Sequence, residues 1–535
     1  MTRKQKHTNQ KHLKRRIIDS SDGSIGNNNV YCSLDLSSFR DMRKIIYGPP
    51  GTGKTHTLLG HIEKFLANTP PDKIGYFTFS KNAAQEGKQR AVDKFKLSFN
   101  DVPYFQTLHS FCFNQLGINR NQVMQPKHYK ELSEKMQIEL EGARQDEDYE
   151  GIFYSPDPYI QLINLARSKE MDPIKFYHLN NNSKIQLSKL EIIVEELENY
   201  KEQNGLIDFP DMLDKFITSG EAPSLRVMFV DEAQDLSLVQ WKLVKKIEEK
   251  AQDSYISGDD DQAIYRWNGA HVSTFINLEG DRTVLDQSQR VPQKPFALAN
   301  KIIKKVKSRV DKEWLPKEEE GSVSYCSNLH EVDFSRGRWL VLAQANYMLA
   351  GIGNILDEKE LYWQRRNAVP RVKNIYEIIL KWNDLRKGIP LHYNDLKKIA
   401  AKMTKDNWDP KLFKTIIKDG FYDIDTLKEK YGLKTESEWD ESLNEIGDED
   451  IKKIKKLIKS GENLDKNPRI SVSTIHGVKG NERENVVVIT DLAGAAFIDY
   501  EKDPDDTHRL FYVACTRTEK NLYIIQPQKK KAYNL

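Results

Sequence analysis

Residues 48 to 55 read Gly48-Pro49-Pro50-Gly51-Thr52-Gly53-Lys54-Thr55, which places glycines, a lysine and a hydroxyl at the spacing G-x-x-x-x-G-K-[ST]. These residue types bind phosphate. The glycines let backbone amides turn inward around phosphate oxygens, and the helix that begins at the lysine adds unpaired N–H groups and a positive dipole end. Gly48, Gly51, Thr52 and Gly53 are therefore candidate nucleotide-binding residues. Lys54 would reach the outer phosphates, and the Thr55 hydroxyl would hold magnesium. A second segment, Phe229-Val230-Asp231-Glu232-Ala233-Gln234-Asp235, supplies carboxylates. Asp231 is a candidate magnesium ligand, and Glu232 can polarise an attacking water. The two segments together are suited to hydrolysis of a phosphate ester or anhydride with magnesium.

Such residues act only if strands and helices bring them to one edge. Arg43 to Tyr47 reads as a strand before the glycine-rich loop, and Thr55 to Leu66 as the helix after it. Short apolar runs recur at 74–79, 225–230, 339–343, 470–474, 485–490 and 521–525. Runs of this kind, separated by helical stretches, indicate parallel sheets covered on both faces. The acids of residues 231–232 would then lie at the carboxyl edge of a sheet, where ligands bind in α/β folds. The runs fall into two clusters, so two α/β cores are expected, each interrupted by a mainly helical insertion. The expected boundaries are a flexible basic leader at 1–40, a first core at 41–117 and 215–284 with its insertion at 118–214, and a second core at 285–349 and 466–535 with its insertion at 350–465. In the first insertion Leu187, Leu190, Ile193, Leu197 and Tyr200 recur at helical spacing.

A chain of 535 residues is too long for a single core. With 38% hydrophobic and 30% charged residues it has a globular composition, and no apolar run approaches the roughly 20 residues that span a bilayer. The cysteines, Cys32, Cys112, Cys326 and Cys515, are scattered and read as reduced structural thiols. The net charge is only +3, so any affinity for nucleic acid must come from local clusters. The opening Arg3-Lys4-Gln5-Lys6 together with Lys11 to Arg16 is one such cluster; it reads either as a solvated, disordered tail or as a nonspecific phosphate-binding arm.

Further segments complete a recognisable series. Phe79-Ser80-Lys81-Asn82-Ala83-Ala84, Thr107-Leu108-His109-Ser110-Phe111 and Asp208-Phe209-Pro210-Asp211-Met212-Leu213 belong to the first half. Gly258-Asp259-Asp260-Asp261-Gln262-Ala263-Ile264-Tyr265-Arg266-Trp267-Asn268-Gly269-Ala270 follows. The second half carries Leu285-Asp286-Gln287-Ser288-Gln289-Arg290, Thr474-Ile475-His476-Gly477-Val478-Lys479-Gly480-Asn481-Glu482 and Leu510-Phe511-Tyr512-Val513-Ala514-Cys515-Thr516-Arg517. In order and spacing, from residue 48 to residue 517, the chain resembles the superfamily 1 DNA helicases of the UvrD/Rep kind.

The resemblance implies that each core is a RecA-like P-loop motor domain, and that the chain is an ATP-dependent translocase on single-stranded DNA and a DNA helicase, moving 3′ to 5′. Gln262 would sense the terminal phosphate and relay its loss to Tyr265 and Trp267, two aromatics able to stack on bases. Arg290 and Arg517 would close on the nucleotide from the second core, and Glu482 would contact the ribose. Phe79, His109, Ser110, Thr474 and His476 would face the DNA. The expected partners are single-stranded DNA and its junctions with duplex, together with replication or repair proteins. The expected protein is monomeric or weakly oligomeric and cytoplasmic, in a bacterial cell or a phage-infected host. A nucleotide-gated DNA-binding switch that hydrolyses ATP without unwinding shares every one of these motifs, and so does the motor half of a helicase–nuclease.

Three positions depart from the family pattern. Gln289 stands where an aromatic normally stacks on adenine, Asn268 replaces an arginine, and Gln344 stands where a basic residue is frequent. Weak recognition of the base is therefore expected.

Overall fold

A computed structural model describes residues 43–79, 81–140, 155, 157–180, 185–366 and 368–535. The leader, with Cys32, and Ser80 of the 79–84 segment lie outside them. The first sheet contains β1 (Arg43–Tyr47), β2 (Ile74–Thr78), β3 (Phe105–Thr107), β4 (Leu225–Asp231), β5 (Ala251–Gly258) and β6 (Asp281–Val284). All six are parallel, in the order β3-β2-β4-β5-β1-β6. In β4, Leu225 and Val227 to Asp231 are buried, as expected for a strand covered on both faces. The order also sets the chemistry. β4, β5 and β1 are neighbours, so residues 231–232, 259–262 and 48–55 emerge side by side at their carboxyl ends. β1 is pinned at its start by Arg43, whose buried guanidinium grips Glu248 at 2.9 and 2.6 Å and the Glu279 carbonyl at 2.8 Å.

The second sheet draws on β7 (Ser322–Cys326), β8 (Trp339–Ala343) and β9 (Trp363–Arg365). After a small antiparallel pair, β10 (Leu391–His392) with β11 (Phe421–Tyr422), come its remaining strands β12 (Ile470–Thr474), β13 (Arg483–Ile489) and β14 (Thr518–Ile525). The order is β7-β14-β13-β8-β12-β9, again wholly parallel. The protein is thus an α/β molecule with two parallel six-stranded cores. Among the described residues no helix is long and apolar enough to cross a membrane, and Cys112, Cys326 and Cys515 are buried free thiols.

Between β3 and β4 a helical body packs around Leu132, Ile163, Leu190, Ile193 and Leu197. Its entry and exit are tied by Met124 N–H to the Ile207 carbonyl at 2.9 Å and Ile207 N–H to the Gln122 carbonyl at 2.8 Å. The stretch expected as a second insertion from residue 350 opens differently. Helix Asn346–Glu358 packs on the second sheet, and β9 hydrogen-bonds into its edge beside β12. The helical body with a core of its own begins at helix Arg371–Arg386, around Ile379, Trp382, Leu396, Leu427 and Ile454.

Candidate functional site

The glycine-rich loop leaves β1 and turns directly into helix Lys54–Leu66. Gly51 and Gly53 take φ of 75° and 82°, a left-handed backbone open to glycine at little cost. Gly51 also leaves no room for a side chain, because a Cβ there would come within 2.4 Å of Arg290 Cβ. The loop is anchored by Gly48 N–H to the Gly258 carbonyl at 3.0 Å, and Thr52 Oγ1 donates to the Pro49 carbonyl at 2.8 Å. Lys54 Nζ folds over the loop onto the Gly48 carbonyl at 3.0 Å and lies 3.9 Å from Glu232.

Asp231 closes β4. Its Oδ2 accepts from Thr55 Oγ1 at 2.9 Å and from the Tyr76 hydroxyl at 3.0 Å, while burial and the adjacent Glu232 raise its pKa. Glu232 has φ of 54°, unusual for a residue with a side chain, and its N–H is satisfied by Asp231 Oδ1 at 2.9 Å. Strain of that kind, worth about 1–3 kcal/mol, gathers at functional sites. Against the cost of burial, Lys54 and Lys479 hold the Glu232 carboxyl down to about 2. Asp235 differs: burial pushes it up to about 6 even though Lys479 is paired with it.

The second core meets this edge with its opposite end. Glu482 directly precedes β13 and Arg517 directly precedes β14, so both stand at amino ends of strands. Arg290 Nη2 pairs with Glu482 Oε2 at 2.9 Å. Ser288 Oγ donates to the Pro50 carbonyl at 2.7 Å, and Gln289 N–H donates to the Gly51 carbonyl at 2.9 Å, so the 285–290 segment docks on the phosphate loop through its backbone. The Gln289 side chain is exposed. Arg517 is 2% exposed; burial, and then Arg290, push its pKa down. Its Nη2 donates to Gln262 Oε1 at 2.9 Å, linking the two cores at the residue expected to sense phosphate.

The structure thus gathers Gly48, Gly51, Thr52, Gly53, Lys54, Thr55, Asp231, Glu232, Gln262, Arg290, Glu482 and Arg517 around one cleft. It adds Lys479, which sequence reasoning left unassigned. Its Nζ is paired with Asp235, lies 3.7 Å from Glu232 Oε2 and donates to the Gln262 carbonyl at 3.0 Å. The signal was its place in the 474–482 segment, but spacing alone cannot show a lysine reaching across a domain boundary.

On the far side of these acids lies a second cleft, lined by Phe79, Glu232, Tyr265, Arg366, His476 and Lys479. Here two expectations need correction. Tyr265, expected to stack on bases, is 8% exposed: its ring stacks on Phe79 with centroids 5.8 Å apart, its hydroxyl donates to the His476 carbonyl at 3.0 Å, and Lys479 lies over its face. Its surface is used up in joining the two cores. Thr474, expected to face the DNA backbone, is 2% exposed, and its Oγ1 accepts from Gly477 N–H at 3.0 Å, capping the turn. Trp267 does present its ring, 37% exposed, edge-on to His476 at 5.8 Å. His109 is half-buried against Phe209, beside Ser110, whose N–H donates to Thr107 Oγ1 at 3.2 Å. Burial brings the pKa of both His109 and His476 down to about 4, helped at His109 by Lys81.

The departures from the family pattern also find partners. Asn268 Oδ1 accepts from Gln161 at 3.4 Å, and Gln344 Oε1 accepts from Ala493 N–H at 3.1 Å. The acidic segment at 208–213 is a helix start. Asp208 and Asp211 form a capping box and are gripped by Arg167, at 2.9 and 2.6 Å, and by Lys201, at 3.0 and 2.8 Å.

Comparison with known proteins agrees with this geometry. The profile of the UvrD/REP helicase N-terminal domain matches residues 38–283, and that of the UvrD-like helicase C-terminal domain matches 469–525. The chain is 26% identical over 359 residues to the ATP-dependent DNA helicase PcrA of Bacillus subtilis, covering 62% of this chain and 46% of that protein. It is 28% identical over 287 residues to a probable DNA helicase II homolog of Mycoplasma pneumoniae, covering 48% and 39%. The PcrA of Leuconostoc citreum is 23% identical over 364 residues, covering 63% and 47%. The chain spans less than half the length of these relatives. With both terminal-domain profiles matched in order, and with the phosphate loop, paired acids and cross-domain arginines assembled at one cleft, the chain belongs to the UvrD/Rep-like superfamily 1 helicase family.

Proposed function

We propose that this protein is an ATP-driven translocase on single-stranded DNA and a DNA helicase, acting in replication, repair or recombination and moving 3′ to 5′, as its family resemblance implies. The observation that carries this reading is the Arg517 Nη2 to Gln262 Oε1 bond of 2.9 Å, which joins the two cores at the nucleotide edge. Three residues beyond Gln262, Tyr265 spans to Phe79 and His476 on the opposite cleft. One short segment therefore touches both clefts, as coupling of hydrolysis to DNA movement requires.

The donor set fits magnesium. Thr55 and Asp231 offer a hydroxyl and a carboxylate 2.9 Å apart, and among the described residues no cluster of three or more His, Cys, Asp and Glu could hold a metal. A site with one carboxylate and a hydroxyl suits an ion that takes its other ligands from water and phosphate. Bound there, the ion would neutralise charge on the phosphate oxygens. Glu232 would take the proton of the attacking water, and Lys54, Arg290 and Arg517 would stabilise the charge that develops on the phosphate. Glu482, paired with Arg290, is placed to contact the ribose when that pair opens.

Phe79 and His476, which line the second cleft, Trp267 beside His476, and His109 and Ser110 are the proposed contacts to single-stranded DNA, with Trp267 as the stacking ring. The test is unwinding of fluorescent forks that carry a 3′ or a 5′ tail. ATP-dependent separation of 3′-tailed forks supports the proposal. DNA-stimulated hydrolysis with no separation of either fork would make the protein a nucleotide-gated DNA-binding switch instead.

A further inference from the structure

Asp259, Asp260 and Asp261 follow β5 as three consecutive carboxylates, and the side chains of all three are 0% exposed. One amine serves them all. Lys312, also 0% exposed, stands 3.2 Å from Asp259 Oδ1, 2.7 Å from Asp260 Oδ1 and 2.8 Å from Asp261 Oδ2. Arg309 adds bonds of 2.8 and 2.7 Å to Asp261, and Val310 N–H donates to Asp260 Oδ2 at 2.8 Å. Residues 309–312 follow helix Gln293–Ile303, which packs against helix Asp505–Cys515 of the second core. A buried cation of one core thus holds the strand end of the other.

Asp259 has a second role that its neighbours lack. While its Oδ1 faces Lys312, its Oδ2 accepts from Gln262 Nε2 at 2.7 Å, and Gln262 Oε1 accepts from Arg517 at 2.9 Å. An ionised carboxylate only accepts, and a guanidinium only donates. Between them the Gln262 amide has a single allowed orientation, with its oxygen turned to Arg517. That orientation depends on the Asp259 carboxylate being held with Oδ2 toward Gln262, and Lys312 at Oδ1 is the cation that holds it there.

We propose that Lys312 is a positioning residue for ATP hydrolysis: by holding the Asp259 carboxylate through Oδ1 it fixes the Gln262 amide toward Arg517, although its own side chain is fully buried. This rests on the hydrolase reading above and goes beyond it. The relay runs from the second core through Lys312, Asp259 and Gln262 back to Arg517 of the second core. The sensing amide is therefore set only while the two cores are docked.

The test is a double-mutant cycle with Lys312→Met and Gln262→Ala, read as kcat with saturating single-stranded DNA and ATP and as Kd for fluorescent ADP. Lys312→Met is expected to lower kcat by about tenfold or more with Kd within about threefold, and to cost less than about twofold in the Gln262→Ala background, because contacting residues in one network couple. Losses that multiply would overturn the inference, as would a parallel loss of ADP binding. Should Lys312→Met fail to fold, Asp259→Asn carries the same cycle, since Lys312 keeps Asp260 and Asp261 as partners. Wild-type protein with no ATP turnover would overturn the hydrolase reading and this inference with it. Turnover with multiplicative losses would overturn this inference alone.

Discussion

The two clefts of this molecule are built on different terms. At the nucleotide edge the groups are charged, strained or glycine-dependent, and each has a directional partner: Lys54 on the Gly48 carbonyl, Thr55 on Asp231, Arg517 on Gln262. On the opposite side the aromatic residues are largely spent on one another. Tyr265 is closed in by Phe79, Lys479 and the His476 carbonyl, and of the two rings expected to stack on bases only Trp267 is well exposed. Phosphate chemistry demands fixed geometry, whereas base stacking needs one accessible face and tolerates loss of the rest.

The largest effect is expected where geometry is most fixed. Lys54→Ala should lower ATP turnover by about a thousandfold, ~4 kcal/mol of barrier, with single-stranded DNA affinity within about threefold of wild type. Substantial residual turnover in the purified variant would remove the phosphate loop from the mechanism. Arg517→Ala comes next, with a loss of about a hundredfold or more in kcat and nucleotide Kd within about tenfold, since its contribution is concentrated in the transition state. Equal losses in the two quantities would make Arg517 a ground-state ligand.

Across the second cleft the effects should be smaller and should separate the two aromatics. Trp267→Ala should weaken binding of single-stranded DNA by about 1–3 kcal/mol while leaving basal, DNA-free hydrolysis near wild type. Tyr265→Phe, which removes the bond to the His476 carbonyl, should cost about 1 kcal/mol of stability and little DNA affinity. A thermal melt and a fluorescence titration on each variant decide between the roles, and a large affinity loss in Tyr265→Phe would restore that residue to the DNA surface.

Gln289 places a smaller effect at the edge of the nucleotide cleft. It meets the phosphate loop through its backbone and offers no ring to a base, so GTP, CTP and UTP should support DNA-stimulated hydrolysis within about tenfold of ATP in kcat/KM, a gap of ~1.4 kcal/mol. Steady-state kinetics with the four nucleotides checks this; an ATP preference above about a hundredfold would mean that other groups hold adenine. The smallest effect concerns His109 and His476. With their pKa values lowered to about 4, both imidazoles are neutral at pH 7 and remain so at pH 6; the protonated form appears only as the pH falls toward 4. Replacing either by Gln should therefore leave the slope of DNA affinity between pH 7.5 and 6.0 unchanged. A flatter slope in a variant would show that an imidazolium grips phosphate.

Much of this was legible without coordinates. The phosphate loop, the acids after β4 and the parallel character of the cores follow from local rules, because glycine, lysine and apolar strand runs mean the same thing wherever they stand. The short strands β3 and β9 and the polar edge β6 carry too few apolar residues to register as a pattern, so the second insertion was expected to begin before the sheet had taken its last edge strand.

Sequence by itself determined which residues could bind phosphate and polarise water, since those functions are set by side-chain type and spacing within one turn or loop. Only the tertiary structure decided which of them face a ligand and which face each other. Tyr265 turned inward because docking of the two cores buries it, Thr474 because it closes β12 and caps the turn that follows, and Lys479 and Lys312 gained roles because the docking brings them to carboxylates 244 and about 50 residues away in the chain. The physical reason is that burial and ion pairing across a domain boundary depend on the packing of whole sheets, which no local pattern encodes.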